Sequence, residues 1–372
     1  MKKLLAFVLA AIMVLSLAAC GSSESGSSAA PDTKAAENDT TPAAEQPSES
    51  EAAGLPADGP TFNIQLAHAD TESSPMQTTA LKFKELVEEK SGGKITVTIY
   101  PNSQMGSDGD NLTNVKIGDL QAAFLATSLT SSENNSAYSC SIPFNFAGWT
   151  TEEMQQLASD SEWRDAMNKG ANESGFVLGT IIVGQPMYFN TKEPLEKFED
   201  FAGRKIRVAQ SASSISMINA LGAAATPLAY SELYMSLQQG LVDGWYNQPA
   251  TMLASKSYEQ ATYVTKVAPS VSFVSIILNK AFVDGMPEAY QAVLYEALAE
   301  AEKFGDETYA ALLEDNLKEL ETNGITFIEA DDEFVQKCID AEKDAVQEQK
   351  DRVEDKNVLT ALENSMKKIK GN

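Results

Sequence analysis

The stretch that decides the fold is Phe62-Asn63-Ile64-Gln65-Leu66-Ala67-His68, then Ser73-Ser74-Pro75 with Met76, Ala80, Phe83, Leu86 and Val87, then Ile95, Val97 and Ile99. Its first seven residues alternate apolar with polar, the period of a half-buried strand. The next apolar residues recur every three to four positions and so line one face of a helix, opened at Pro75 and broken at Gly92-Gly93. Alternation then resumes through Ile99, giving strand, helix, strand. Outward from this unit the same exchange continues through Ile117, Phe124, Val177 to Val183 and Ile206 to Val208. It predicts an α/β protein with largely parallel sheets. From Met286 an unusually long amphipathic helix runs to about Thr322, with Gly305 as a bend point. A strand at Ile325-Thr326-Phe327-Ile328 and a final charged helix follow.

The N-terminus reads differently. Lys2 and Lys3 precede an apolar run from Leu4 to Ala19 that stops at Cys20-Gly21, the pattern of a signal peptide too short to span a bilayer comfortably. Leu17-Ala18-Ala19-Cys20 has the form of a lipobox, in which Cys20 is acylated and becomes the first residue of the mature chain. Residues 22–59 are rich in Ser, Ala, Glu, Pro and Asp without apolar periodicity, which predicts a flexible leash. The expectation is an exported body, lipid-anchored at the outer face of the cell membrane. That body, about 310 residues long, exceeds the usual size of one core, so two domains are expected.

The formal charge of -25 argues against nucleic acid as a partner, but not against an anionic ligand, since a buried cation outweighs distant screened charge. Beyond Cys20 only Cys140 and Cys338 remain, read as two separate buried thiols. No zinc spacing, phosphate loop, dinucleotide fingerprint or nucleophile elbow is present, and no cofactor is expected. Asp108-Gly109-Asp110-Asn111 lacks the third acid, the correctly placed glycine and the closing glutamate of a calcium loop. It is read as a polar surface loop.

Two positions stand out as binding candidates. His68, the only histidine, ends the first strand, where open α/β sheets place ligand contacts, although a bond to nearby backbone would explain it equally. In Gly203-Arg204-Lys205-Ile206-Arg207-Val208, alternation puts Ile206 and Val208 on one face and Lys205 and Arg207 on the other. A guanidinium within a sheet requires an anion, either a ligand carboxylate or one of the chain's own acids.

Further pieces carry a resemblance: Leu221-Gly222-Ala223, Thr226-Pro227-Leu228, Tyr230-Ser231-Glu232-Leu233-Tyr234, Leu237-Gln238-Gln239-Gly240 and Asp243-Gly244-Trp245-Tyr246-Asn247. Earlier ones are Glu89 to Gly93, Tyr100 to Gly106 and Ile117 to Gln121. In this order they resemble the solute-binding subunits of TRAP transporters, the tripartite ATP-independent periplasmic systems, over nearly all of residues 61–372. On its own terms Ser231 can cap a helix that Glu232 supports and Gly240 ends. The resemblance implies a two-lobed periplasmic-binding-protein-like fold with hinge strands and a long connecting helix. Residues 61–184 with 273–312 would form one lobe, and 185–272 with 313–372 the other. It further implies that Arg207 clamps a ligand carboxylate, that Tyr230 and Asn247 contact the ligand, and that membrane permease subunits receive it. No catalysis is implied. A ligand-sensing lipoprotein docking on a receptor and an enzyme acting on an acidic substrate are the rival readings.

One departure bears on the ligand. Many relatives carry a second arginine just after the glycine that opens the second lobe, whereas here Gly184 is followed by Gln185-Pro186-Met187-Tyr188, and no arginine lies between Arg164 and Arg204. A second ligand carboxylate would be desolvated without that cation unless Lys192, Lys205 or another donor replaced it. Gln185, Tyr188, Tyr230 and Trp245 instead suggest an apolar wall with neutral donors, suited to a sugar acid, a hydroxy or keto acid, or an aromatic acid.

Overall fold

A computed structural model of the chain describes residues 55–371; Cys20 and the anchoring expected there lie outside the described residues. Strand β1 (Phe62–Ala67) is followed by helix α1 (Pro75–Lys90) and by β2 (Ile95–Tyr100), parallel to β1. Ser74 caps α1 by accepting from Gln77 N–H, Pro75 occupies its first turn, and Met76, Ala80, Phe83, Leu86 and Val87 are its buried face, as their spacing predicts. Helix α2 (Asp108–Ile117) begins where a polar loop was expected. Ser107 and Asp110 satisfy each other's backbone N–H groups in a capping box, so the acids read as loop are a helix start. Strand β3 (Ala122–Ala126), α3 (Thr151–Ser159), α4 (Ser161–Glu173) and β4 (Phe176–Leu178) complete the first lobe's opening half.

The chain then changes sheets. Strand β5 (Ile182–Pro186) pairs with the first sheet, while β6 (Tyr188–Thr191), beginning two residues later, belongs to the second. There follow β7 (Lys205–Val208), α5 (Ala212–Ala220), β8 (Ala224–Pro227), α6 (Leu233–Gln238), β9 (Gly244–Asn247), α7 (Pro249–Ala254) and β10 (Tyr263–Thr265). Strand β11 (Val271–Asn279) returns to the first sheet, and α8 (Lys280–Asp284) leads to the 35-residue helix α9 (Glu288–Thr322). That helix is uninterrupted at Gly305, where an added Cβ would lie 3.0 Å from Ile182. Strand β12 (Thr326–Ile328) rejoins the second sheet, and α10 (Asp332–Ala341), α11 (Lys343–Arg352) and α12 (Lys356–Lys370) close the chain.

Each sheet has six strands: β2-β1-β3-β11-β4 with β5 also on β11, and β12-β10-β6-β9-β7-β8. Both are mixed, which corrects the expectation of largely parallel sheets. Strand β11, coming back from the second sheet, runs against β3, β4 and β5, and β6 runs against β9 and β10. Apolar residues cover both faces of both sheets; Phe124 and Ile276 face α1 and α9, whereas Leu125 and Ile277 face Trp163 and Met167.

The charged C-terminus is three helices instead of one, and the last does not join the second lobe. Val358, Ala361 and Leu362 of α12 pack in the core with Trp163 and Met167, while Lys368 pairs with Asp160 at 2.8 Å. The apolar stripe, masked in the sequence by its charged neighbours, finds its complement on α4. Helix α11 touches both lobes, Glu348 accepting from Ser216 Oγ at 2.6 Å and Arg352 lying 5.6 Å over the Tyr138 ring. Cys140 and Cys338 are free thiols buried in different cores.

Candidate ligand site in the interlobe cleft

Strand β7 positions Arg207 by simple alternation: Ile206 and Val208 are buried in one core, Lys205 is exposed, and Arg207 points the other way with 3% of its surface exposed. Its Nε and Nη2 donate to the Leu228 carbonyl at 3.1 and 2.8 Å. Among the described residues it makes no ion pair within 4.0 Å. Burial pulls its pKa down to about 10, against the opposing charges of Asp108, Tyr230, Asp70 and Glu232. A buried guanidinium held by one neutral carbonyl has donors and charge still to satisfy.

Arg207 borders a partly open cavity of about 90 Å³ between the lobes. Ser128 and Ser141 line it from the first lobe, Asn247 and Tyr246 from the second, and Met187 and Phe273 from the crossing strands. Asn247 ends β9 and spends its Oδ1 on Gln248 N–H at 2.8 Å, which turns its amide NH2 into an available donor. Tyr230 sits in the helical turn after β8, and its buried hydroxyl makes no hydrogen bond of normal geometry. Burial, the largest influence, raises its pKa. On the first lobe His68 is fully buried, with Nε2 bonded to Gln77 Oε1 at 2.7 Å and Nδ1 unpartnered. Burial lowers its pKa, opposed by Gln77 and the Asp70 backbone. It does not line this cavity and is held by Gln77 of α1.

Sequence reasoning missed two acids here. Asp70, in the loop after β1, has its carboxyl pushed up to about 7 by burial and by the Asp108 charge, against the pull of Arg207. Asp108, the first residue of α2, is raised by burial to about 6, opposed by Arg207 and by the Ala69 N–H. Both stand at the carboxyl ends of parallel strands, the position where α/β sheets bind ligands, and that was the signal available. Tyr246 was missed as well.

Residues 66–352 match the sequence model of the DctP family, described as bacterial extracellular solute-binding protein, family 7. The chain belongs to this family. The C4-dicarboxylate-binding periplasmic protein DctP of Rhodobacter capsulatus is 29% identical over 266 residues, 68% of this chain and 76% of the relative. The fold is similar to that of the sugar acid binding protein DctPAm of Advenella mimigardefordensis in complex with galactonate, at 23% identity. That match has a TM-score of 0.78 over 84% of this chain and 100% of that one. A TRAP periplasmic solute-binding protein of Desulfovibrio salexigens with bound orotic acid gives 0.79 at 21% identity, over 83% and 100%. These matches establish the TRAP family and the two-lobed fold expected from sequence.

Of the six candidates in this family member, Arg207 and Asn247 line the cavity, whereas Tyr230, His68, Trp245 and Gln185 do not, and the last two are committed elsewhere. Trp245 is fully buried in the second lobe's core, its Nε1 donating to Asn190 Oδ1 at 2.8 Å and to Ser257 Oγ at 3.2 Å. It backs Tyr230, at 6.5 Å between ring centroids, and offers no donor to the cleft. Gln185 is likewise occupied: its Nε2 donates to Tyr309 O at 3.0 Å and its Oε1 accepts from Ala250 N–H at 2.9 Å. It fastens the crossing strand β5 to α9 and α7. Ser231 does not cap α6; the helix begins from a tight turn in which Glu232 accepts from Ala229 N–H at 3.0 Å. Among the described residues no helix is long and apolar enough to cross a membrane.

Proposed function

We propose that this protein captures a small organic monocarboxylate between its lobes and delivers it to TRAP permease subunits, held beside the membrane through Cys20. The observation that carries the reading is Arg207, buried in the cleft with a neutral carbonyl as its partner. A carboxylate matches its planar donors, and Asn247 adds a neutral donor beside it.

The relative from Rhodobacter capsulatus is named for C4-dicarboxylates, whereas the two structures above hold galactonate and orotic acid. The cations that could stand in for the missing arginine favour the second kind. Arg164 is spent on Glu302, bidentate at 2.6 and 2.7 Å. Lys192 donates to the Leu237 carbonyl, and Lys205 is exposed. None of the three replaces the arginine missing after Gly184, so a second carboxylate would be desolvated beside Asp70 and Asp108 at a cost of roughly several kcal/mol.

A thermal-shift panel of matched mono- and dicarboxylates tests this. Stabilisation by monocarboxylates above succinate and malate supports it. Far greater stabilisation by C4-dicarboxylates than by every monocarboxylate overturns it.

A further inference from the structure

The last three helices leave the second lobe and end in the first. Phe334 and Cys338 of α10 lie in the second lobe's core, whereas Val358, Ala361 and Leu362 of α12 lie in the first lobe's. Helix α11 has to cross between them. It does so over the seam between α5 and the short helical turns Asn135–Ser141. Those two segments line the cavity beside Arg207 from opposite lobes, through Ser213 and Met217 on one side and Cys140 and Ser141 on the other. A chain of contacts runs along α11 across this seam. Ser216 Oγ of α5 donates to Glu348 Oε2 at 2.6 Å, Arg352 Nη2 donates to Glu348 Oε1 at 2.7 Å, and the Arg352 guanidinium lies 5.6 Å over the Tyr138 ring.

The two attachments of α11 differ in kind. Toward the first lobe, Val353 is fully buried and Val346 packs against the core that holds Trp163. Toward the second, the buried groups are polar and poorly met. Gln349 is fully buried, yet its Nε2 reaches the Ser213 carbonyl only at 3.5 Å and its Oε1 has no partner among the described residues. Glu342 is the joint between α10 and α11; its N–H donates to the Cys338 carbonyl at 3.0 Å and its carbonyl accepts from Val346 N–H at 2.8 Å. Helical bonding through the joint puts Glu342 on the same face as Gln349, two turns away. It too is fully buried, neither carboxyl oxygen has a partner among the described residues, and burial alone pushes its carboxyl up to about 9.

We propose that α11 is a strap across the cleft, fastened to the first lobe and released from the second when the lobes separate. Opening draws α5 away from Asn135–Ser141, and one helix cannot follow both. The orphaned groups decide which contact yields. Apolar side chains lose by being pulled into water, whereas a buried polar group without a partner gains from reaching it. The Val346 and Val353 side therefore holds, and the side of Glu342, Gln349 and Ser216 lets go. The strap biases the protein toward opening, so ligand affinity is set in part by residues that touch no ligand. The inference stands on contacts between α11 and the lobes and not on which acid the cleft holds, so its failure would leave the carboxylate reading intact.

The test is amide hydrogen exchange read by mass spectrometry on the ligand-free protein, with α12 as the internal reference, alongside X-ray scattering. In the wild type the amides of α11 should exchange faster than those of α12. Gln349→Met and Glu342→Met each replace an orphaned polar group by an apolar one of similar length. Each should slow α11 exchange by about fivefold or more and lower the radius of gyration. Glu348→Ala, which unfastens Ser216, should do the reverse on both readouts. Glu348 is exposed, so that variant supplies the answer if neither Met variant folds. Equal protection of α11 and α12 in the wild type overturns the proposal, and so does α11 exchange that none of the variants alters. Altered exchange with an unchanged radius also overturns it, because α11 would then fray by itself without following the lobes.

Discussion

Replacing Arg207 by alanine isolates the clamp. A guanidinium carries five N–H donors; Nε and Nη2 each commit one to Leu228, and three remain without a partner among the described residues. Charge-assisted bonds from these to a carboxylate are worth about 1.5–3 kcal/mol, so Arg207→Ala should raise Kd by about 10- to 150-fold. The change also strips the Leu228 carbonyl of its donors and removes the cation that holds the Asp70 and Asp108 pKa values down. Lower affinity alone could then reflect altered acids, and Arg207→Lys separates the two effects. Lysine keeps the positive charge but offers a point cation in place of the planar fork. It should keep the acids near their present state and recover little affinity. The assay is calorimetry against the most stabilising acid of the panel, with each variant first shown to melt cooperatively. An Arg207→Ala protein that folds and binds within about twofold of wild type, well inside the tenfold minimum, would falsify the assignment.

Three further outcomes are expected. Ligand contacts divided between lobes favour the closed state, and a cavity of about 90 Å³ is below the roughly 300–1,000 Å³ of typical small-molecule sites. The ligand-free protein should therefore open, and X-ray scattering should show a smaller radius of gyration at saturating ligand; identical radii would argue for a rigid site. Asp70 and Asp108 have folded pKa values of about 7 and about 6 against ordinary values of 3.8, so folding takes up protons and their contribution to stability is lost as pH rises from about 4 to about 7. The groups facing them are Arg207, Tyr230 and Tyr309. Asp70→Asn/Asp108→Asn should flatten the fall in melting temperature between mildly acidic and alkaline buffer, and an unchanged pH profile would refute it. Cys20→Ser should leave an exported protein in the soluble fraction, since acyl chains are what would hold this body to a membrane; continued membrane retention would count against lipidation.

The parts of this protein legible in its sequence are those set by local period. Alternation in Phe62 to His68 and the helical spacing from Met76 to Val87 gave the first βαβ unit, and the same rule put Arg207 on the face opposite Ile206. Strand direction was less accessible, because β11 is antiparallel only through its return from the other sheet. Gln185 shows the limit more sharply. Its residue type suggested a ligand donor, but its partners Tyr309, Ala250 and Asn316 lie more than sixty positions away. Nothing local reveals that its amide is already spent.

Trp245 and Tyr246 set the harder case, since adjacent strand residues point to opposite faces. Register puts Trp245 beside Arg207 on one face of the second sheet, which is why it looked like part of the ligand wall. Yet its indole turns to Asn190 and Ser257, whereas Tyr246 on the other face reaches the cavity at the strand end and bonds Ser270 at 2.5 Å. A strand's period assigns faces. It does not say which side chains reach the cleft: Arg207 and Tyr246 line it from opposite faces, and Trp245, on Arg207's face, does not. Asp70 and Asp108 extend the point: one sits in the loop after β1, the other opens α2, and only the fold brings both charges to bear on Arg207.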